Sequence, residues 1–145
     1  MLVFVLRHAD REPDPVDELS PVGQERAELL ARMLQDSGVG FAFHSDTVRA
    51  RRTLEPLKRK LGDALAVEEI AALDVQRTVD AVSSLPADAV AAVVGHGNTV
   101  GAVVEGLGGE PVEPMDLSAF DRLFVLFTDV AGAVTLLRLR YGAAT

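Results

Sequence analysis

The chain opens on an unbroken apolar run, Leu2 to Leu6, and meets charge only at Arg7-His8. A run without polar alternation fits a strand covered on both faces, as in a parallel sheet packed between helices. Residues 89–94, Ala-Val-Ala-Ala-Val-Val, repeat the pattern, and residues 41–44 and 65–70 read as shorter strands. Between them the period changes to that of helices. Ser20-Pro21 offers an N-cap hydroxyl followed by proline where its missing N–H costs nothing. From there Val22, Leu29, Leu30, Met33 and Leu34 recur at helical spacing, and Gly38 and Gly40 end the segment. A second helix is predicted over about 47–61, with Val48, Leu54, Leu57 and Leu61 facing inward. Pro56 inside it predicts a kink or break. Residues 75–84 and 99–107 complete the helices, the latter entered through the turn Gly95-His96-Gly97-Asn98. At the end, two apolar stretches, 122–128 and 133–140, flank Asp129-Val130-Ala131-Gly132, a hairpin signal. Residues 9–19, with two prolines and a run of acids, and residues 108–120 read as irregular connections.

Strands alternating with helices and closing on a hairpin predict an α/β fold. The expected form is a three-layer α/β/α sandwich, its central sheet mostly parallel with an antiparallel strand and its crossovers right-handed. At 145 residues, 1–145 is expected to form a single domain.

Charge narrows the partners. With 14 Lys and Arg against 22 Asp and Glu, the net charge is −8, which disfavours a phosphate-backbone partner and makes nucleic acid a poor expectation. A site for an anionic substrate must then be a local positive pocket in a negative field. No stretch reaches the roughly 20 apolar residues of a membrane span, and the first apolar run is too short for a secretory core and lacks a basic segment before it. There is no cysteine, so disulfide, thiolate and cysteine–zinc chemistry are excluded. A cytoplasmic location is expected.

The polar groups that interrupt the pattern share a position. Arg7-His8 ends the first strand, His44-Ser45 the second, and Gly95-His96-Gly97 the later buried one. In a parallel sheet the carboxyl ends of the strands lie on one edge, where ligands bind. All three histidines are therefore expected at that edge. Neutral imidazole, with a reference pKa of about 6.5, is a competent nucleophile toward phosphorus. A guanidinium grips phosphoryl oxygens with its planar fork. Arg49, four residues past Ser45, falls at a helix start, where backbone N–H groups can serve an anion. His96, when protonated, adds a donor, and the glycines beside it let the backbone approach a ligand. Together these groups would neutralise a transferring phosphoryl group. Arg11, His44, Ser45 and Gly97 are candidates to line the site.

Four segments carry a family resemblance. Leu6-Arg7-His8-Ala9 resembles the Arg-His-Gly signature of the histidine phosphatase superfamily, the phosphoglycerate-mutase-like enzymes. Leu19 to Ala27 resembles its Leu-Thr-x-x-Gly-x-x-Gln-Ala helix start. Ser45 to Thr53 resembles its Ser-x-x-x-Arg-Ala-x-x-Thr segment, and Val94-Gly95-His96-Gly97 its second-histidine motif. The resemblance, to a small member such as the phosphohistidine phosphatases, implies His8 as the phosphorylated nucleophile and His96 as its catalytic partner on the phosphate. It implies Arg7 and Arg49 as phosphate ligands, no cofactor and no metal. Ala9 stands where the signature has Gly, a variant of smaller members. The glutamate proton donor of larger members has no clear counterpart. Asp10 and Asp74 are candidates for that role, as are Asp14 and Asp17 of the first loop and Glu68 and Glu69. A missing acid is tolerable when the leaving group is already good, as in an acyl phosphate or phosphoramidate.

The reading is a phosphatase acting on phosphomonoesters or phosphohistidine through phospho-His8. Its partner would be a small phosphorylated substrate or a phosphoprotein. The short chain predicts an open site with little substrate specificity of its own. The alternatives are a phosphate-recognition module on the same fold, a mutase-type phosphotransferase, and a metal hydrolase using His8, His44 and His96.

Overall fold

The computed structural model describes residues 1–145. Six strands form one sheet in the order β3-β2-β4-β1-β5-β6. In chain order the elements are β1 (Leu2–Arg7), α1 (Pro21–Leu34), β2 (Phe41–Ser45), α2 (Val48–Leu61), β3 (Ala66–Ile70), α3 (Val75–Ser83), β4 (Val90–Gly95), α4 (Val100–Gly106), β5 (Arg122–Thr128) and β6 (Val134–Arg140). The pairs β1·β4, β2·β4 and β2·β3 are parallel. Only β5 runs against the rest, pairing antiparallel with β1 on one side and β6 on the other.

The two apolar runs became the two central strands because both their faces are covered. Leu6, Ala92 and Val94 pack under α1 and α2 with Leu30, Leu34, Leu54 and Leu57. Val3, Val5, Ala91 and Val93 face the other layer with Val82, Val100 and Val104 of α3 and α4. Each fully buried aliphatic side chain of these layers contributes about 1.5–3 kcal/mol. At the edge, β3 buries only Ile70. No helix is long and apolar enough to cross a membrane.

Two expectations about helices need correction. The inner face of α1 is Ala27, Leu30, Ala31 and Leu34, while Val22 and Met33 point outward at 48% and 43% exposure. Small alanines let α1 lie close to α2, and larger side chains would hold it off. Pro56 does not break α2, which runs without interruption from Val48 to Leu61. Pro56 is buried beside Leu54 and Leu57, so packing of the inner face carries the helix through the missing N–H.

α1 starts as its residues require. The Ser20 hydroxyl accepts from the Gly23 N–H at 3.2 Å, and Pro21 fills the first turn. Gly23 has a steric reason. A Cβ built there would lie 1.9 Å from the carbonyl oxygen of Asp10, which itself accepts from the Ser20 N–H at 3.0 Å. The segment after His8 thus rests directly on the first turn of α1. Gly23→Ala is expected to cost about 1–3 kcal/mol by overpacking against backbone. Chemical denaturation would measure it, and an unchanged midpoint would show that the helix moves aside freely.

Candidate active site

Strand order assembles the polar groups. β4 lies between β1 and β2, so the end of β4 meets the ends of both. Arg7 registers with Gly95, and the His8 N–H donates to the Gly95 carbonyl at 2.9 Å. His8 and His96 therefore emerge side by side, with ring centroids 5.3 Å apart and planes at 64°. The turn after β4 is closed by Thr99, whose hydroxyl accepts from the His96 N–H at 3.0 Å and donates to the His96 carbonyl. At the end of β2, the Ser45 hydroxyl lies 2.7 Å from His96 Nε2 and 3.1 Å from the Thr47 hydroxyl, the N-cap of α2. Arg49 in the first turn of α2 completes the group. The Thr53 hydroxyl accepts from the Ala9 N–H at 2.9 Å and donates to the Arg49 carbonyl, tying α2 to the residue after His8.

Hydrogen bonding selects the tautomer of His8. Its Nδ1 lies 2.8 Å from the Ala9 carbonyl, an obligate acceptor, so Nδ1 carries the proton and donates. Nε2 is left with its lone pair, which receives Arg49 Nε–H at 3.2 Å. Arg49 Nη2 lies 3.4 Å from His96 Nδ1. Burial holds the His8 imidazole far below its ordinary value, down to about 3, with the Arg7, His96 and Arg49 charges adding to burial and the Ala9 hydrogen bond opposing it. Burial, then Arg49 and Arg7, push His96 down to about 4. Both rings are neutral at pH 7, so His96 faces Arg49 as an acceptor.

These values bear on stability. Unfolded, both histidines titrate near 6.5, whereas folded they stay neutral to about 4 or below. Between those limits the unfolded chain binds more protons, so stability present above pH 6.5 is lost as pH falls toward 4. Melting temperature is expected to decline progressively from pH 7 to 4.5, and less steeply in His8→Ala. Equal slopes in the two proteins would remove His8 from the linkage.

Arg7 is 7% exposed and held from behind. Its Nη1 donates to the carbonyls of Asp116, Leu117 and Ala119 at 3.1, 2.8 and 3.2 Å, and its guanidinium carbon lies 4.1 Å from the Phe120 ring centroid. Its Nε is buried without a partner. An unsatisfied buried N–H costs about 1–3 kcal/mol, and Nη1 of the same guanidinium is already committed to carbonyls. Burial, then the charges of Arg49 and Arg11, lower the Arg7 pKa. The positive charges of Arg7 and Arg49 thus act on one another, with Asp17 the carboxylate paired to Arg49.

The other candidates take varied places. Gly97 lies beside Arg7, where an added Cβ would sit 3.6 Å from the guanidinium carbon. His44 is buried, its Nδ1–H donating to the Ser45 carbonyl at 2.7 Å, and it makes no hydrogen bond to His8, His96 or either arginine. Arg11 is spent on its own loop: Nη2 binds the Asp14 carboxylate and the Val16 carbonyl, and Nε the Glu12 carbonyl. Asp10 turns away from the imidazoles to Arg26 Nε at 2.6 Å. Asp74 is the N-cap of α3, accepting from the Arg77 N–H at 3.0 Å. Glu68 pairs with Arg77. The backbone N–H groups at the start of α2, expected to serve a substrate anion, are taken by Asp17, which accepts from Val48 and Arg49 at 2.9 and 3.1 Å. No group of three His, Asp or Glu side chains is arranged to hold a metal ion. Phe120 and the carbonyls of Asp116, Leu117 and Ala119, which hold Arg7, were not anticipated, and Thr53, quoted only as the end of a motif, proves to tie α2 to the residue after His8. An aromatic residue just before an apolar strand is the only trace Phe120 leaves in the sequence.

Comparison with known proteins finds a family model and related folds. Residues 4–74 match the model of the histidine phosphatase superfamily (branch 1). No curated protein matches the chain by sequence. Among solved structures, the protein histidine phosphatase SixA complexed with tungstate is 25% identical, with 97% of each chain covered and a TM-score of 0.72. The SixA protein of Nakamurella multipartitia is 24% identical over 99% of this chain and 96% of its own, with a TM-score of 0.69. A mycobacterial glucosyl-3-phosphoglycerate phosphatase is 15% identical over 99% of both chains, with a TM-score of 0.71. The last two likenesses are of fold.

Proposed function

We propose that this chain, whose residues 4–74 match the histidine phosphatase superfamily model, is a phosphatase that works through a covalent phosphohistidine on His8. One observation carries the reading: a neutral imidazole whose Nε2 lone pair receives the Arg49 guanidinium, which also reaches the second imidazole, His96, its ring centroid 5.3 Å from that of His8. In the first step, Nε2 attacks phosphorus in line and the electron pair of the breaking bond leaves with the departing group. Arg7 through Nε, Arg49 through Nε and Nη2, and His96 hold the equatorial oxygens. As the dianion enters, it replaces the imidazole acceptors of Arg49 and raises the proton affinity of His96, which then donates. In the second step, water attacks phosphorus, the P–Nε2 bond breaks, and phosphate leaves with His8 neutral again.

The surrounding carboxylates favour one substrate class. Asp10 is bound to Arg26, Asp17 to Arg49 and two backbone N–H groups, and Asp74 to its helix. None of these three is free to protonate a poor leaving group. A phosphoramidate such as phosphohistidine brings its own proton on nitrogen, and an activated ester needs none. The site therefore suits these over alkyl phosphomonoesters, consistent with a phosphoprotein substrate.

Rapid mixing with an activated phosphate ester or phosphohistidine is expected to give a burst of acid-labile phosphoenzyme, assignable to phosphohistidine by ³¹P NMR. Vanadate should inhibit and EDTA should not. Phosphate binding without a phosphoenzyme would leave a recognition module on the same fold. Loss of turnover with EDTA, with no response to vanadate, would point to metal chemistry.

A further inference from the structure

We infer that Asp17 is the positioning residue of Arg49, holding the guanidinium at the mouth of the site so that only two of its N–H groups change partners when a phosphoryl group arrives. The inference rests on the proposed phosphate role of Arg49. Arg49 Nη1 donates to Asp17 Oδ1 at 2.9 Å. The same oxygen accepts from the Arg49 backbone N–H at 3.1 Å, and Oδ2 accepts from the Val48 N–H at 2.9 Å. One carboxylate thus grips both the backbone and the side chain of Arg49, which fixes where the fork starts and how it is turned.

The remaining N–H groups are placed for exchange. Nε points to His8 Nε2 and Nη2 to His96 Nδ1, both neutral acceptors. A charged phosphoryl oxygen binds a guanidinium more strongly than a neutral imidazole does, so those two contacts yield and the Asp17 contact stays. Asp17 does not have to follow, because its loop is fixed on both sides. Arg11 bridges to Leu19, the Glu12 N–H donates to the Glu18 carbonyl at 2.9 Å, and Glu18 pairs with Arg52 one turn further along α2. Burial opposes ionisation of Asp17. The Val48 and Arg49 hydrogen bonds and the Arg49 charge outweigh it and hold the carboxyl below its usual range. Asp17 is therefore a fixed counterion in the working pH range rather than a proton donor.

The test measures vanadate affinity and kcat/KM in Asp17→Ala, Asp17→Asn, Arg49→Ala and the double variant Asp17→Ala/Arg49→Ala, with thermal melts to confirm folding. Asp17→Ala is expected to weaken vanadate binding and lower kcat/KM about tenfold to a hundredfold in the parent protein. In the Arg49→Ala background it should change either by less than threefold. Asp17→Asn turns one acceptor into a donor facing N–H groups and should do no better than alanine. The loss should be equal for an activated aryl phosphate and for an alkyl phosphate. Loss confined to the alkyl ester would make Asp17 a proton donor and overturn the inference. So would an additive effect in the Arg49→Ala background, or unchanged vanadate binding in Asp17→Ala while Arg49→Ala weakens it. Unchanged vanadate binding in Arg49→Ala would instead overturn the phosphate role of Arg49 itself.

Discussion

His8→Ala is expected to abolish the phosphoenzyme and cut turnover by roughly 10³-fold or more, the scale on which nucleophiles fail. The effect is chemical rather than structural. His8 is 2% exposed, but alanine at its place leaves Arg7 on its carbonyls, Arg49 on Asp17 and His96 on Ser45. The proposed phosphate ligands stay in place, so phosphate and vanadate should still bind within about tenfold of the parent protein. Water can reach phosphorus in the enlarged pocket but lacks a base, since Nε2 was the one lone pair there held in line. The pH profile supplies a second check. With the His8 pKa at about 3, phosphoenzyme formation in the parent should persist well below pH 6, where a solvent-like imidazole would already be protonated and inert. Turnover of His8→Ala within tenfold of the parent protein would remove the nucleophile assignment.

The largest loss of stability is expected from Arg26→Ala, about 3–5 kcal/mol, the cost of leaving a buried partner uncompensated. Arg26 is 3% exposed in the inner face of α1. Its Nε donates to Asp10 at 2.6 Å, Nη1 to the Tyr141 carbonyl at 2.5 Å and Nη2 to the Ala143 carbonyl at 2.8 Å. Its guanidinium carbon lies 5.4 Å from the Tyr141 ring centroid. Alanine would strand one carboxylate and two carbonyls and open a cavity between α1 and the segment after β6. Asp10 is two residues past His8, so turnover should fall as well. For a chain of this length the melting temperature should drop by about 10 °C or more. Asp10→Asn in the Arg26→Ala background should recover part of the loss, because it removes the orphaned charge. A drop below about 1 kcal/mol would mean that water replaces the arginine at no cost.

Arg26 also marks where the sequence ceased to be informative. In the segment resembling Leu-Thr-x-x-Gly-x-x-Gln-Ala it stands in place of Gln, and along a helix it reads as one more surface cation. Its burial depends on a chain segment more than a hundred residues away. The sheet was legible for the opposite reason. Leu2–Leu6 and 89–94 are apolar at every position, which only coverage on both faces tolerates, and Asp129–Gly132 announces its hairpin locally. The meeting of His8, Ser45, Arg49 and His96 followed from strand direction, since parallel strands bring their ends to one edge. Asp17 was visible as one acid among several in its loop, but its service to Arg49 depends on the path of that loop across the start of α2. The carbonyls that hold Arg7 left no trace, because backbone groups are the same at every residue. Asp10 and Asp74, which proximity in sequence recommended as acids, are occupied by Arg26 and by a helix cap.

The place of β4 has a consequence in time. β1 and β2, which carry His8 and lead into Arg49, are never neighbours, because β4 fills the slot between them. Adjacent strands lie about 4.8 Å apart, so the slot is one strand wide. Until residues 90–95 enter it, the first imidazole and the α2 guanidinium have no fixed spacing, and His96 has not arrived. On the proposed reading, any form of the chain without this strand in place lacks the assembled phosphate site, and docking of one strand completes it.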